Sequence, residues 1–169
     1  MELINTIEIS PYTYASQEYV YPDGSSKEFP EEWNQFWIKC ISGKNLGGLK
    51  AIEKGSYLVD IEIIKEHELE EILKQELSEI EIDDVEEQLS RLSGGIVVKE
   101  GNEILLKPTC CGDIGNIQEW ENIFEAEASQ WHQLWIGHPW IFYKRENGLI
   151  CFSDYTDSNL KDLTDIKAG

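Results

Sequence analysis

The sequence predicts an α+β fold, an antiparallel sheet of about five to seven strands with acidic helices packed on one side. Three observations predict it. Short alternating or wholly apolar runs bounded by Gly, Pro and Asn recur towards both ends of the 169-residue chain, as strands joined by turns do. Between them, residues 65–93 carry apolar side chains at three- and four-residue intervals, the period of a helix with one buried face. Residues 94–155 then return to strand chemistry and hold four of the six tryptophans. A chain of this length usually folds on one core, and no repeat or linker interrupts it, so residues 1–169 are expected to form a single domain.

In order, Leu3 to Ile9 reads as a first strand, with Leu3, Ile7 and Ile9 on one alternating face. The aromatic run Tyr12 to Tyr21 extends that strand or returns as a second. Pro22-Asp23-Gly24-Ser25-Ser26 is a turn signal, and Pro30 keeps the residue before it extended. Trp33 to Ile41 is apolar on both faces and reads as a buried strand, followed by a glycine-bearing connection, Gly43 to Gly48, and a further strand from Ser56 to Ile64. That connection lacks the Gly-Lys-Ser/Thr ending of a phosphate loop, so a hairpin is the expectation.

Lys65 to Ile82 is the first helix, its stripe made by Leu69, Ile72, Leu73, Leu77 and Ile80, with Glu70 and Lys74 as an i, i+4 pair. A second helix starts at Asp83, with Glu86 at the capping-box position, and Gly94-Gly95 ends it. Ile96 to Glu100 and Glu103 to Pro108 flank Gly101-Asn102 as a hairpin. Ile117 to Phe124 is a short helix with Ile117, Trp120 and Phe124 on its inner face. Trp131 to Ile136, Trp140 to Arg145 and Leu149 to Ser153 are three successive strands, the last two central, turned by Gly137-His138-Pro139 and Glu146-Asn147-Gly148.

The net charge of −19 directs the functional reading. Residues 62–87 hold 12 acids and 2 lysines, a net of −10 in one segment. Such a field repels nucleic acid and anionic membranes, which are bound through Lys and Arg, and draws in a basic protein. The carboxylates expected to meet that partner are Glu68, Glu71, Glu79, Asp84 and Glu87. The N-terminus MELINTIEIS lacks the basic and apolar regions of a signal peptide, and four cysteines without an export signal fit a reducing cytoplasm. No cofactor is expected.

The stretch Thr109 to Trp140 concentrates the reactive residue types. Cys111, Asp113, Trp135, His138 and Trp140 are the candidates for a ligand cleft, with no catalytic residue assigned. The alternative is a thiol- or zinc-dependent enzyme using Cys110, Cys111, His132 and His138. Zinc ligands are usually spaced so that both cysteines turn inward, whereas adjacent cysteines in an extended segment point to opposite faces. A shared ion therefore requires an irregular backbone at the pair. His67-Glu68-Leu69-Glu70-Glu71 opens like a helical zinc-protease motif but has Glu71 in place of its second histidine.

Ser93-Gly94-Gly95-Ile96-Val97-Val98, Cys110-Cys111-Gly112-Asp113, Trp120 and Leu134-Trp135-Ile136-Gly137-His138-Pro139-Trp140 together resemble a set of small bacterial proteins with no established activity, over roughly residues 93–155. In general character (small, acidic, tryptophan-containing, α+β) the chain also resembles the immunity proteins of bacterial toxin systems, including the group related to the yeast cell-wall regulator Smi1/Knr4. That resemblance implies a protein that binds and neutralises a toxin. Neither resemblance implies a role for any single residue.

Overall fold

A computed structural model of the chain describes residues 1–79, 92–162 and 166. The fold is α+β. Its strands form two antiparallel sheets, one of four in the order β2 (Leu58–Asp60), β1 (Glu2–Glu8), β3 (Gly94–Glu100), β4 (Glu103–Leu106), and one of three in the order β5 (His132–Leu134), β6 (Ile141–Glu146), β7 (Leu149–Phe152). The expected single sheet of five to seven strands is therefore corrected. Residues 107–131, which carry a helix, separate the last strand of one sheet from the first of the other. By its contacts the chain forms two compact units, Ile4–Gly94 and Met1–Leu3 with Gly95–Gly169.

In the first unit, the part of β1 (Glu2–Glu8) from Ile4 on pairs with β2 (Leu58–Asp60) in a register that sets Ile7 opposite Val59. Ile7 and Ile9 are buried as expected, but Leu3 is 64% exposed. Beyond Ile9 the chain turns into a one-turn helix, α1 (Pro11–Tyr14), rather than a strand. Ser10 caps it, its hydroxyl accepting from the Tyr12 N–H, and proline occupies a first-turn position where its missing N–H costs nothing.

The expected strand at Trp33 to Ile41 is helix α2 (Pro30–Ser42). Pro30 starts it, and Glu31 and Glu32 in the first turn complement the helix dipole. Phe36, Trp37, Cys40 and Ile41 are buried at spacings of one, four and five, a single helical face that the run of apolar letters disguises as two strand faces. Trp37 is wholly enclosed, and its indole N–H donates to the Ile9 carbonyl at 2.7 Å. With a helix before it, Gly43 to Gly48 is not a hairpin. The next strand is only β2, and Ile61–Ile63 leaves it as a 3-10 turn with Asp60 accepting from the Glu62 N–H.

The acidic helix α3 spans Glu66–Glu76 and tightens into a 3-10 turn at Leu77–Glu79. Of the expected stripe only Ile72 is buried among the described residues; Leu69, Leu73 and Leu77 are each more than a third exposed, so the expectation of one buried apolar face is corrected. Lys74 bridges Glu70 at 2.9 Å, the expected i, i+4 pair, and Glu71 at 3.1 Å. Ile80, Ile82 and the second helix expected from Asp83 lie outside the described residues. Where that helix was expected to end, Gly94 opens β3.

Two tyrosines of this unit give it a pH signature. Burial, followed by the negative neighbourhood of Tyr12, Cys40, Glu8 and Tyr21, pushes the Tyr57 phenol up to about 12. Burial and the Glu76 carboxylate, which accepts from the Tyr14 hydroxyl at 2.6 Å, also raise Tyr14. Both phenols stay protonated in the fold above the pH, about 10, at which they ionise in the unfolded chain. Their stabilising effect is complete below about pH 10 and is lost as pH rises, because the unfolded state then binds fewer protons. Urea midpoints are expected to fall between pH 10 and 12, and Tyr57→Phe to flatten that slope.

In the second unit, β3 (Gly94–Glu100) and β4 (Glu103–Leu106) form the expected hairpin, with Gly101 at φ 58°. Helix α4 (Ile117–Glu125) also appears where expected, but its inner face is Trp120 and Ile123. Ile117 is exposed and Phe124 is 71% exposed, so the face lies one position away from the one expected. The meander β5 (His132–Leu134), β6 (Ile141–Glu146) and β7 (Leu149–Phe152) follows the expected strands. β6 is central, and Ile141, Phe142 and Tyr143 are all buried, whereas β7 is an edge. Asn147 (φ 52°) and Gly148 (φ 78°) make the tight turn that Asn-Gly favours. Ile96, Val98, Leu106, Trp120, Leu134 and Ile141 belong to one core cluster of this unit.

Candidate functional site

The stretch that concentrates cysteine, histidine and tryptophan folds as two facing turns. Tyr155 holds the chain entering the first: its hydroxyl accepts from the Lys107 N–H and donates to the Lys107 carbonyl, each at 2.9 Å. Thr109 then donates its N–H to the Ile136 carbonyl, and His138 donates its N–H to the Cys110 carbonyl, both at 2.9 Å. These bonds lace residues 109–110 antiparallel to residues 136–138. Only glycine fits between them. A Cβ on Gly137, which has φ 109°, would stand 2.5 Å from the Cys110 oxygen.

Directly after that bridge the backbone reverses. The Gly112 N–H closes a turn on the Thr109 carbonyl at 3.0 Å, with Cys110 and Cys111 as its two central residues. Cys111 takes φ 68°, the left-handed conformation that the third position of a type II turn requires and that glycine or asparagine usually supplies. The irregular backbone needed to bring neighbouring cysteines together is thus present. Their sulfurs are 3.4 Å apart, and both residues are exposed.

On the facing turn, which contains a cis His138-Pro139 peptide, the His138 ring meets the Trp140 ring edge-on at 4.7 Å. Trp135 lies against the same indole at 4.9 Å. Trp140 is fixed by two backbone bonds to Thr156, and the His138 Nε2 lies 3.3 Å from the Asp157 carboxylate. The imidazole is about half exposed and the carboxylate more so. A polar contact so open to solvent contributes little to stability.

Of the candidate cleft residues, Cys111, Trp135, His138 and Trp140 therefore line these two turns. Asp113 sits at the start of the short 3-10 turn Ile114–Asn116, where its backbone carbonyl accepts from the Asn116 N–H while its side chain makes no capping bond. The alternative zinc set is not assembled. His132 lies at the far end of the β5–β6 hairpin, roughly 13 Å of strand from the turn. There it stacks on Tyr143. Among the described residues no group of three or more His, Cys, Asp or Glu side chains is placed to hold a metal ion. Asp157 escapes a sequence reading because it is 19 residues from His138 and carries no motif of its own.

The candidate partner-binding acids divide differently. Glu68 is 2% exposed and its carboxylate accepts from the Lys65 N–H at 3.0 Å, so it caps α3 instead of facing a partner. Glu71 is half-buried and engaged with Lys74. The Glu79 side chain, Asp84 and Glu87 lie outside the described residues. Glu62 and Glu66, which are exposed, carry the open charge of the described part of the segment, while the exposed Glu70 is paired with Lys74.

A cavity of about 610 Å³ in the first unit is lined by Tyr12, Tyr19, Tyr21 and Phe36, with Lys39 set 4.8 Å from the centre of the Tyr19 ring. The aromatic run from Tyr12 to Tyr21 signals this cluster but not the cavity. Among the described residues no helix is long and apolar enough to cross a membrane. No protein-family model matches the chain, and no curated protein or solved structure matches it significantly.

Proposed function

We propose that the protein docks a basic protein through the acid-rich segment that includes α3, in the cytoplasm, and that it neutralises a basic toxin as an immunity protein does. The observation that supports this reading is the net charge of −10 over residues 62–87. On α3 the only lysine, Lys74, is already shared between Glu70 and Glu71, whereas Glu62 and Glu66 are exposed acids with no ion-pair partner among the described residues. Leu69, Leu73 and Leu77 recur every fourth residue, each more than a third exposed. Acids beside a strip of partly open leucines suit a protein surface better than a small cation: the charge steers approach and the apolar strip supplies contact.

Capture from lysate on the immobilised protein is expected to retain a basic protein at about 50 mM salt and to release most of it near 500 mM, where charges are screened beyond about 4 Å. The double variant Glu62→Gln/Glu66→Gln is expected to slow association several-fold while leaving the thermal midpoint within about a degree or two. Binding indifferent to salt, or no basic partner at low salt, would sink the proposal. The thiol- or zinc-dependent enzyme is supported by the sulfur pair alone, since His132 stands apart from it. Stoichiometric zinc in the purified protein would restore that alternative.

A further inference from the structure

We propose that Cys110 and Cys111 are a redox site, a vicinal dithiol that closes reversibly into a disulfide by exchange with low-molecular-weight disulfides of the oxidised-glutathione class. Three features support it: the sulfurs lie 3.4 Å apart, both residues are exposed, and Cys111 holds a left-handed backbone conformation. The conformation is the informative one. A residue with a Cβ is disfavoured there, and glycine would satisfy the turn without that cost. An exposed side chain offers no core packing in compensation. What the left-handed residue does achieve is to turn the second thiol back towards the first.

The chemistry balances with the small disulfide as oxidant. One cysteine, as its thiolate, attacks a sulfur of the small disulfide. That S–S bond breaks, a mixed disulfide forms and one small thiolate leaves. The second cysteine's thiolate then attacks the protein-bound sulfur of the mixed disulfide, forming the Cys110–Cys111 bond and expelling the second small thiolate. Two electrons pass to the small molecule, and the two protons from the protein thiols end on the two small thiols.

The product is a switch, not a staple. Residues joined by a trans peptide have Cα atoms about 3.8 Å apart, below the usual range of about 4.4–6.8 Å for disulfide-linked residues, so the closed ring is strained and easily reduced. The strain has a defined outlet. The Cys110 carbonyl accepts the His138 N–H, so reorienting the peptide between the cysteines acts on the turn that carries His138 and Trp140.

The test uses the full chain, incubated with excess oxidised glutathione and read by intact mass and by mapping of non-reduced peptides, which separates this pair from Cys40 and Cys151. The expected result is loss of two hydrogens mapped to residues 110–111, with no lasting glutathione adduct, full reversal by a dithiol reductant, and closure several-fold faster in the native protein than in urea. Cys111→Ser is expected to trap one glutathione on Cys110. In the wild type, the His138 imidazole resonances are expected to shift on oxidation and return on reduction. Lasting glutathione adducts at the pair in the native protein, or closure no faster than in urea, would overturn the proposal.

Discussion

Replacing Trp37 with alanine is expected to lower stability by about 3–5 kcal/mol, the cost of emptying a fully enclosed large aromatic site. Trp37 has no exposed surface, and its loss also strips the Ile9 carbonyl of the indole N–H that it accepts at 2.7 Å. Ile9 sits where β1 gives way to α1, and its own N–H donates to Tyr57. One side chain therefore ties α2 to the end of the first strand. Trp37→Phe separates the two contributions. It keeps most of the packing and leaves the carbonyl unpaired, for an expected cost of about 1–3 kcal/mol. Urea melts of both variants, followed by far-UV circular dichroism, provide the measurement. A Trp37→Ala midpoint close to the wild type would show that α2 is not anchored through this residue.

Gly137→Ala is expected to cost about 2–4 kcal/mol, unusually large for adding one methyl group at a turn. The backbone is at φ 109°, a region essentially restricted to glycine, and the new carbon would stand 2.5 Å from the Cys110 carbonyl and 2.6 Å from the Thr109 hydroxyl. Backbone atoms cannot swing aside as the end of a long side chain does. The hydrogen bonds from Thr109 to Ile136 and from His138 to Cys110 must therefore open. Amide exchange at Thr109 and His138 is expected to accelerate sharply in this variant. Gly148→Ala is a control at another left-handed glycine, since it has open space around the added carbon and should pay the conformational cost alone.

Much of the second unit was legible in the residues. Asn147-Gly148 and Gly101-Asn102 announce their turns because few residues adopt a positive φ cheaply, and the strands flanking them follow from β-branched and aromatic content. The first unit was less legible. Tyr12 to Tyr21 and Trp33 to Ile41 carry so many apolar letters that both periods fit, and the deciding signals were the starts, Ser10-Pro11 and Pro30 with its two glutamates. On α4 the three-residue spacing of Trp120 and Ile123 faces the core, and the four-residue spacing of Trp120 and Phe124 does not. A helix face is chosen by what lies opposite it, which no local pattern contains.

The same division runs through the candidate site. The sequence alone determined the α+β class, the meander and its turns, the density of acid along residues 62–87 and the clustering of thiol, imidazole and indole groups between Thr109 and Trp140, because each depends on residues near one another in the chain. Only the tertiary structure decided that Glu68 is spent as a cap, that His132 stands apart from the cysteines, that Asp157 meets His138, and that Cys110 and Cys111 turn their sulfurs together. Each of those outcomes depends on a backbone conformation or a long-range contact. A run of letters sets which side chains are present and what they prefer, but the partner that each one meets is chosen by the local backbone conformation or by the packing of segments distant in the chain.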